Sequence, residues 1–219
     1  MTTMARAVTP SRLGLCALTV VTLLKGAAAS SQPTVTWKWQ DGTSTDELAG
    51  GCALADDGGV FVAGTTNGGN FHGESEDGWE FIAAKLDGTG SEVWRWQYGT
   101  EDNDKYVLGV DVASDGGLLL AGTRDYERFE ALKLADSTGS QLWQWDVYQS
   151  SGAAMYAVAG DSSGNALLAG YTKSSWTSTN LGSEDFVIAK LSSSGSSDVG
   201  MAGRDKQRGF FLRRGRGCQ

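Results

Sequence analysis

The side chains with chemistry to offer in this 219-residue sequence are loop carboxylates, eight tryptophans, three cysteines and a single histidine. The acidic runs Glu101-Asp102-Asn103-Asp104 and Glu74-Ser75-Glu76-Asp77 carry oxygen ligands of the kind calcium takes. Neither has the spacing of a recognised calcium loop, so solvated acidic turns are expected, with calcium the one cation left open and no other cofactor expected. His72 falls in a long loop, and nothing in the sequence positions it beside a nucleophile, as a Ser-His-Asp or Cys-His arrangement requires. One histidine and scattered cysteines supply no closed zinc set. No catalytic, cofactor-binding or metal-ligating residue is therefore assigned. Cys52 stands where other parts of the chain carry Val110 and Val158, which predicts a small buried hydrophobe. With Cys16 and Cys218 it forms no disulfide framework.

The tryptophans belong to a repeat, and the repeat defines the elements. Trp37-Lys38-Trp39-Gln40, Trp94-Arg95-Trp96-Gln97 and Trp143-Gln144-Trp145-Asp146 open three units separated by 57 and 49 residues. In each, a glycine-led apolar run closes in Ala-Gly at Gly64, Gly122 or Gly170, which lie 27, 28 and 27 residues after the first tryptophan. A run ending in Lys-Leu follows, at Lys85, Lys133 and Lys190, then a turn with Gly90, Gly139 or Gly195. A further run lies between the Trp and Ala-Gly runs, including Cys52–Ala55, Val107–Val112 and Met155–Ala159. Four strands per unit, joined by acidic glycine turns such as Asp56-Asp57-Gly58-Gly59 and Ser114-Asp115-Gly116-Gly117, read as antiparallel meanders, with Asp57 and Asp115 as turn formers. The units span about 37–90, 94–139 and 143–195. Four residues after Gly195, where a tryptophan is due, the chain has Val199.

A four-stranded sheet of this size cannot bury both faces alone, and radial stacking solves that problem. The expected fold is all-β: a partial β-propeller of about three four-stranded antiparallel blades, forming an open ring. The side chains of Trp37 and Trp39, Trp94 and Trp96, and Trp143 and Trp145 share a strand face in pairs, and packing between blades is expected of them in preference to a sugar-stacking platform. Only the Gly-to-Lys connection varies in length, at 21, 11 and 20 residues, so 65–78 and 171–183 are expected as long loops carrying contacts to ligand.

Residues 1–29 read as a secretory signal peptide: basic Arg6 and Arg12, the apolar run 13–24, and Ala27-Ala28-Ala29 before Ser30. The apolar run is short for a bilayer-spanning helix, which takes ~20 residues. Secretion is therefore expected, with membrane anchoring the alternative if the signal stays uncleaved. The net charge of -8 is unevenly spread, since residues 1–30 carry +3 and residues 199–219 carry +5, leaving -16 for the body. That field repels phosphates and excludes nucleic acid as a partner of residues 30–198. The basic segment 199–219 departs from the composition and period of the body, and is expected to be a disordered tail.

The Trp-x-Trp segments, the Asp-Gly-Gly-(apolar)-Ala-Gly core and the aromatic-x-x-x-Lys-Leu run resemble the seven-bladed β-propeller type repeat family and, more widely, quinoprotein-like propellers. The resemblance covers residues 37 to about 197. It implies a binding or scaffold module for an unidentified protein or glycan. The quinoprotein likeness implies the alternative, a fragment of a quinone- and calcium-dependent enzyme, although no adjacent cysteine pair is present and no cofactor residue carries over. Three blades also leave open edges that invite self-association, including two chains in a ring of six, or a truncated product without independent function.

Overall fold

A computed structural model describes residues 34–73, 78–100 and 103–197. Contacts separate residues 1–35 from the unit Thr36–Gln219, which holds every described strand. The first sheet comprises β1 (Glu47–Leu54), β2 (Val60–Asn67), β3 (Trp79–Leu86) and β4 (Glu92–Tyr98). The second comprises β5 (Lys105–Val112), β6 (Leu118–Arg124), β7 (Arg128–Leu134) and β8 (Gln141–Tyr148). The third has β9 (Ala153–Gly160), β10 (Ala166–Thr172) and β11 (Asp185–Leu191). Each is an antiparallel meander in chain order, giving an all-β, open, propeller-like array of 4, 4 and 3 strands. The expected signal peptide, the position Val199 and the basic tail lie outside the described residues, and no described helix is long and apolar enough to cross a membrane.

The sheets are one strand out of phase with the sequence units. The tryptophan strand closes the preceding sheet instead of opening the next: β4 pairs with β3, placing Trp94 opposite Lys85, and β8 pairs with β7, placing Trp143 opposite Lys133. Trp37–Gln40 consequently belongs to no strand, and the third sheet ends at β11 apart from a single bridge between Leu191 and Ser197.

Two packing layers hold the array together. Phe61, Phe81, Ala83 and Trp94 of the first sheet meet Leu118, Leu120, Leu132 and Leu134 of the second. Leu119, Phe129, Ala131 and Trp145 of the second meet Met155, Leu168, Val187 and Leu191 of the third. The inner strands approach closely, since a β-carbon on Gly50 would lie 2.7 Å from the Val107 carbonyl oxygen and one on Gly109 2.9 Å from the Ala157 α-carbon. The outer strands are held apart by indoles. Small residues inside and large ones outside splay the sheets about an inner axis.

The expected packing role of the tryptophans holds in the two complete sheets. Trp94 is buried and its Nε1 donates to the Asp136 carbonyl at 2.7 Å, while Trp143 Nε1 donates to the Ser193 carbonyl at 3.1 Å. Each ring lies over the next sheet's left-handed turn glycine, Gly139 (φ 68°) or Gly195 (φ 80°). Trp145 is buried against Phe129, and Trp96 stacks with Tyr98. Gly64, Gly122 and Gly170 oppose a β-bulge in the neighbouring strand, and a β-carbon on them would fall 2.2, 2.0 and 1.9 Å from the carbonyl oxygens of Leu48, Tyr106 and Ala154. The Ala-Gly signature thus records a close backbone approach.

Cys52 corrects the sequence reading, for it is exposed. Its equivalents Val110 and Val158 pack because a sheet stands in front of theirs; β1 belongs to the first sheet, and Cys52 faces a side where no sheet stands among the described residues.

Candidate functional site

Alternating strand direction sends the connections to two opposite edges. Tight turns between β1 and β2, β3 and β4, and their equivalents form one edge. The other carries, among the described residues, 68–73, 78, 99–100, 103–104, 125–127, 149–152 and 173–184, which belong in part to the expected long loops.

At the turn edge, the repeat lysines find charged partners that sequence reading missed. Lys85, with a side chain only 3% exposed, reaches Asp57 in its own sheet at 2.7 Å and Asp136 in the next at 2.5 Å. Lys133 pairs with Asp115 at 2.6 Å, and Lys190 with Asp161 at 3.0 Å. The aspartates also shape their turns as expected, since Asp57 accepts from the Gly59 amide at 2.9 Å and Asp115 from the Gly117 amide at 3.2 Å. The lysine hydrogen bonds hold the Asp57 and Asp115 carboxyls below the usual carboxylate range. Asp161 is lowered further, first by Asn165 and then by Lys190. Burial opposes charge on Lys85, but its two carboxylates outweigh that cost and raise its pKa. These pairs brace turns and join sheets.

The loop edge has a different composition. Trp79 at the start of β3, Tyr106 near the start of β5 and Tyr126 in the turn between β6 and β7 form a ladder, with ring centroids 5.7 and 5.1 Å apart. Tyr126 is exposed. The turn that presents it places Asp125 (φ 55°) and Tyr126 (φ 53°) in the left-handed region, a strained conformation for residues with a β-carbon. Carboxylates fix the ladder from below: Asp104 Oδ1 accepts from the Trp79 amide at 3.0 Å, and Asp125 Oδ1 accepts from the Asp104 amide at 2.8 Å. Aromatic faces beside carboxylate oxygens can stack on a sugar ring and accept from its hydroxyls.

Beneath this surface, between the first two sheets, lies a charged cluster. Lys105 and Glu130 are fully buried. Lys105 Nζ donates to Thr100 Oγ1 at 2.5 Å and sits 5.2 Å from the Tyr98 ring centroid, while Gln144 Nε2 donates to Glu130 Oε1 at 2.7 Å and to the Tyr98 hydroxyl at 3.1 Å. Arg128 Nε donates to Asp146 at 2.7 Å, and Arg124 pairs with the same carboxylate. Glu130 Oε2 has no hydrogen-bond partner among the described residues. Burial raises the pKa of Glu130 and Tyr98 and lowers that of Lys105, so acid and amine are both driven toward their neutral forms. None of the cluster repeats in the other sheets, which is why the period conceals it. The aromatic ladder has no periodic signal either; its one sequence trace is an Asp-Tyr pair in the shortest of the variable connections.

The remaining sequence candidates stay apart from this site. His72 is exposed, and its amide donates to Gln97 Oε1 at 2.6 Å. Residues 74–77, 101 and 102 lie outside the described residues, and no group of three metal-binding side chains occurs among the described ones. No family model matches the chain, and no curated protein matches it.

Proposed function

We propose that the chain is a secreted or surface-exposed β-propeller repeat module that binds a glycan through its loop edge and acts as a recognition scaffold, with no catalysis of its own. The observation that carries this reading is the ladder Trp79, Tyr106 and Tyr126, held by Asp104 and Asp125 on the edge where the long connections emerge. Sheets that carry loops of differing length on one edge are a common way to hold such a surface in place. Maintaining a tyrosine at φ 53° costs of order 1–3 kcal/mol, and its half-exposed ring packs only along the ladder on Tyr106 and not into the core, which favours a binding role for it.

Tyr126→Gly tests the reading, because glycine suits the turn while removing the ring. Expressed in full in secreting cells, the chain should appear in the medium and give saturable binding on a glycan array. Tyr126→Gly should abolish that binding and leave the melting temperature equal or higher. An array without hits, or hits indifferent to Tyr126→Gly, would overturn glycan recognition. Retention inside the cells would overturn secretion.

A further inference from the structure

Two edges of this molecule each carry one half of the pairing that closes its first and second sheets. In the first and second sheets, the Lys-Leu strand is flanked by a Trp-x-Trp strand; β11 is a Lys-Leu strand whose outer edge carries only the Leu191–Ser197 bridge among the described residues. Its outward side chains show what is missing. Phe186 is 74% exposed and Ile188 59%, whereas the equivalent Phe129 and Ala131 are fully buried. At the opposite end, residues 37–40 are a Trp-x-Trp segment without a Lys-Leu strand beside it among the described residues.

That segment already occupies the position of an outer strand. A β-carbon on Gly90 would lie 2.8 Å from the Trp37 ring, matching the 2.7 Å approaches of Trp94 at Gly139 and Trp143 at Gly195. Trp39 packs on Phe71, Ile82 and Ala84, the face of the first sheet turned away from the second. The segment thus caps the first sheet as β4 caps the second, with no strand paired to its other edge among the described residues.

We propose that two copies of this chain associate head to tail, Trp37–Gln40 of one pairing with β11 of the other. The register follows from β3 with β4 and β7 with β8: Trp37 opposite Lys190, Lys38 opposite Ala189, Trp39 opposite Ile188 and Gln40 opposite Val187. The new interface continues the one between the first two sheets. There the Phe81 ring meets Gly122, so Phe186 of one copy meets Gly64 of the other. Lys85 takes a second carboxylate, Asp136, from the turn of the following sheet; Lys190 has only Asp161 among the described residues, and the partner's equivalent turn carries Asp87. The hollow of about 370 Å³ lined by Tyr156, Tyr171 and Phe186 then faces Leu48, Cys52 and Leu54 of the second copy. Made twice about a two-fold axis, the contact gives a closed ring of six four-stranded sheets. This pairing is independent of what the loop edge binds.

Sedimentation of the full chain tests it, together with the double variant Phe186→Asp, Ile188→Lys, whose sites are solvent-exposed in the single chain. The wild type should sediment at twice the chain mass. The variant should sediment as one chain with an unchanged circular dichroism spectrum, and Trp39→Glu should do the same from the other side of the contact. Alkylation at Cys52, read by peptide mass, should be slow in the wild type and accelerate at least tenfold in the variant. A wild type of one chain mass at every loading concentration, an open-ended series of larger species, or a dimer that survives the substitutions would overturn the proposal.

Discussion

Gly122→Ala should lower the stability of the folded chain by about 3 kcal/mol, the upper end of the cost of forcing extra volume into packed structure. A β-carbon there would sit 2.0 Å from the Tyr106 carbonyl oxygen and 3.1 Å from the Phe81 ring. The first contact is with backbone held by the β5 bulge, and the second with a side chain buried between two sheets, so no flexible group is available to yield. Urea denaturation of the variant should show a lower midpoint with an unchanged slope. Gly182→Ala is the control: its surroundings are open and its φ is not left-handed, so stability should be unaffected.

Asp115→Ala should cost about 2 kcal/mol, below the 3–5 kcal/mol of a wholly enclosed pair because water reaches this carboxylate. The loss arises on the other partner, since the Lys133 side chain is 2% exposed and Asp115 is its sole ion-pair partner among the described residues, whereas Asp115 is 58% exposed. Removing the lysine instead, as in Lys133→Met, leaves a solvated carboxylate behind and should cost much less. Asp57→Ala should also be milder than Asp115→Ala, because Lys85 keeps Asp136. Thermal melts of the three variants check this order. The same pairs fix a pH dependence. Asp57, Asp115 and Asp161 have folded pKa values below the ordinary value of 3.8, so their contribution is complete above that value and lost as pH falls through the depressed ones. The melting temperature should therefore fall steeply below about pH 4, and the wild type should lose more there than Asp115→Ala.

Strand content and turn positions were readable in the sequence, because each follows from local pattern: apolar runs of strand length separated by glycines that adopt positive φ. The Trp37, Trp94 and Trp143 series gave the period correctly but not its phase. A repeat looks the same wherever its cycle is cut, whereas hydrogen bonding assigns Trp94 to the sheet of Lys85. Aligning Cys52 with Val110 and Val158 carries the assumption that every unit has a neighbour on both sides, and among the described residues the first sheet has one on one side alone. Lys85 and Lys133 were marked by recurrence alone; their ion pairs depend on turns brought together in three dimensions. Glu130, Lys105 and Tyr126 occur once each, so comparison of the units could not reveal them.

The one-strand offset between unit and sheet also bears on how such a chain can grow. Duplication of a gene segment adds whole units, and each added unit donates its first strand to the sheet before it and receives its last from the unit after. Inserted copies are thereby laced to both neighbours from the outset. A blade gained in this way cannot swing free as an independent module, and one deleted cleanly leaves its neighbours still able to lace together.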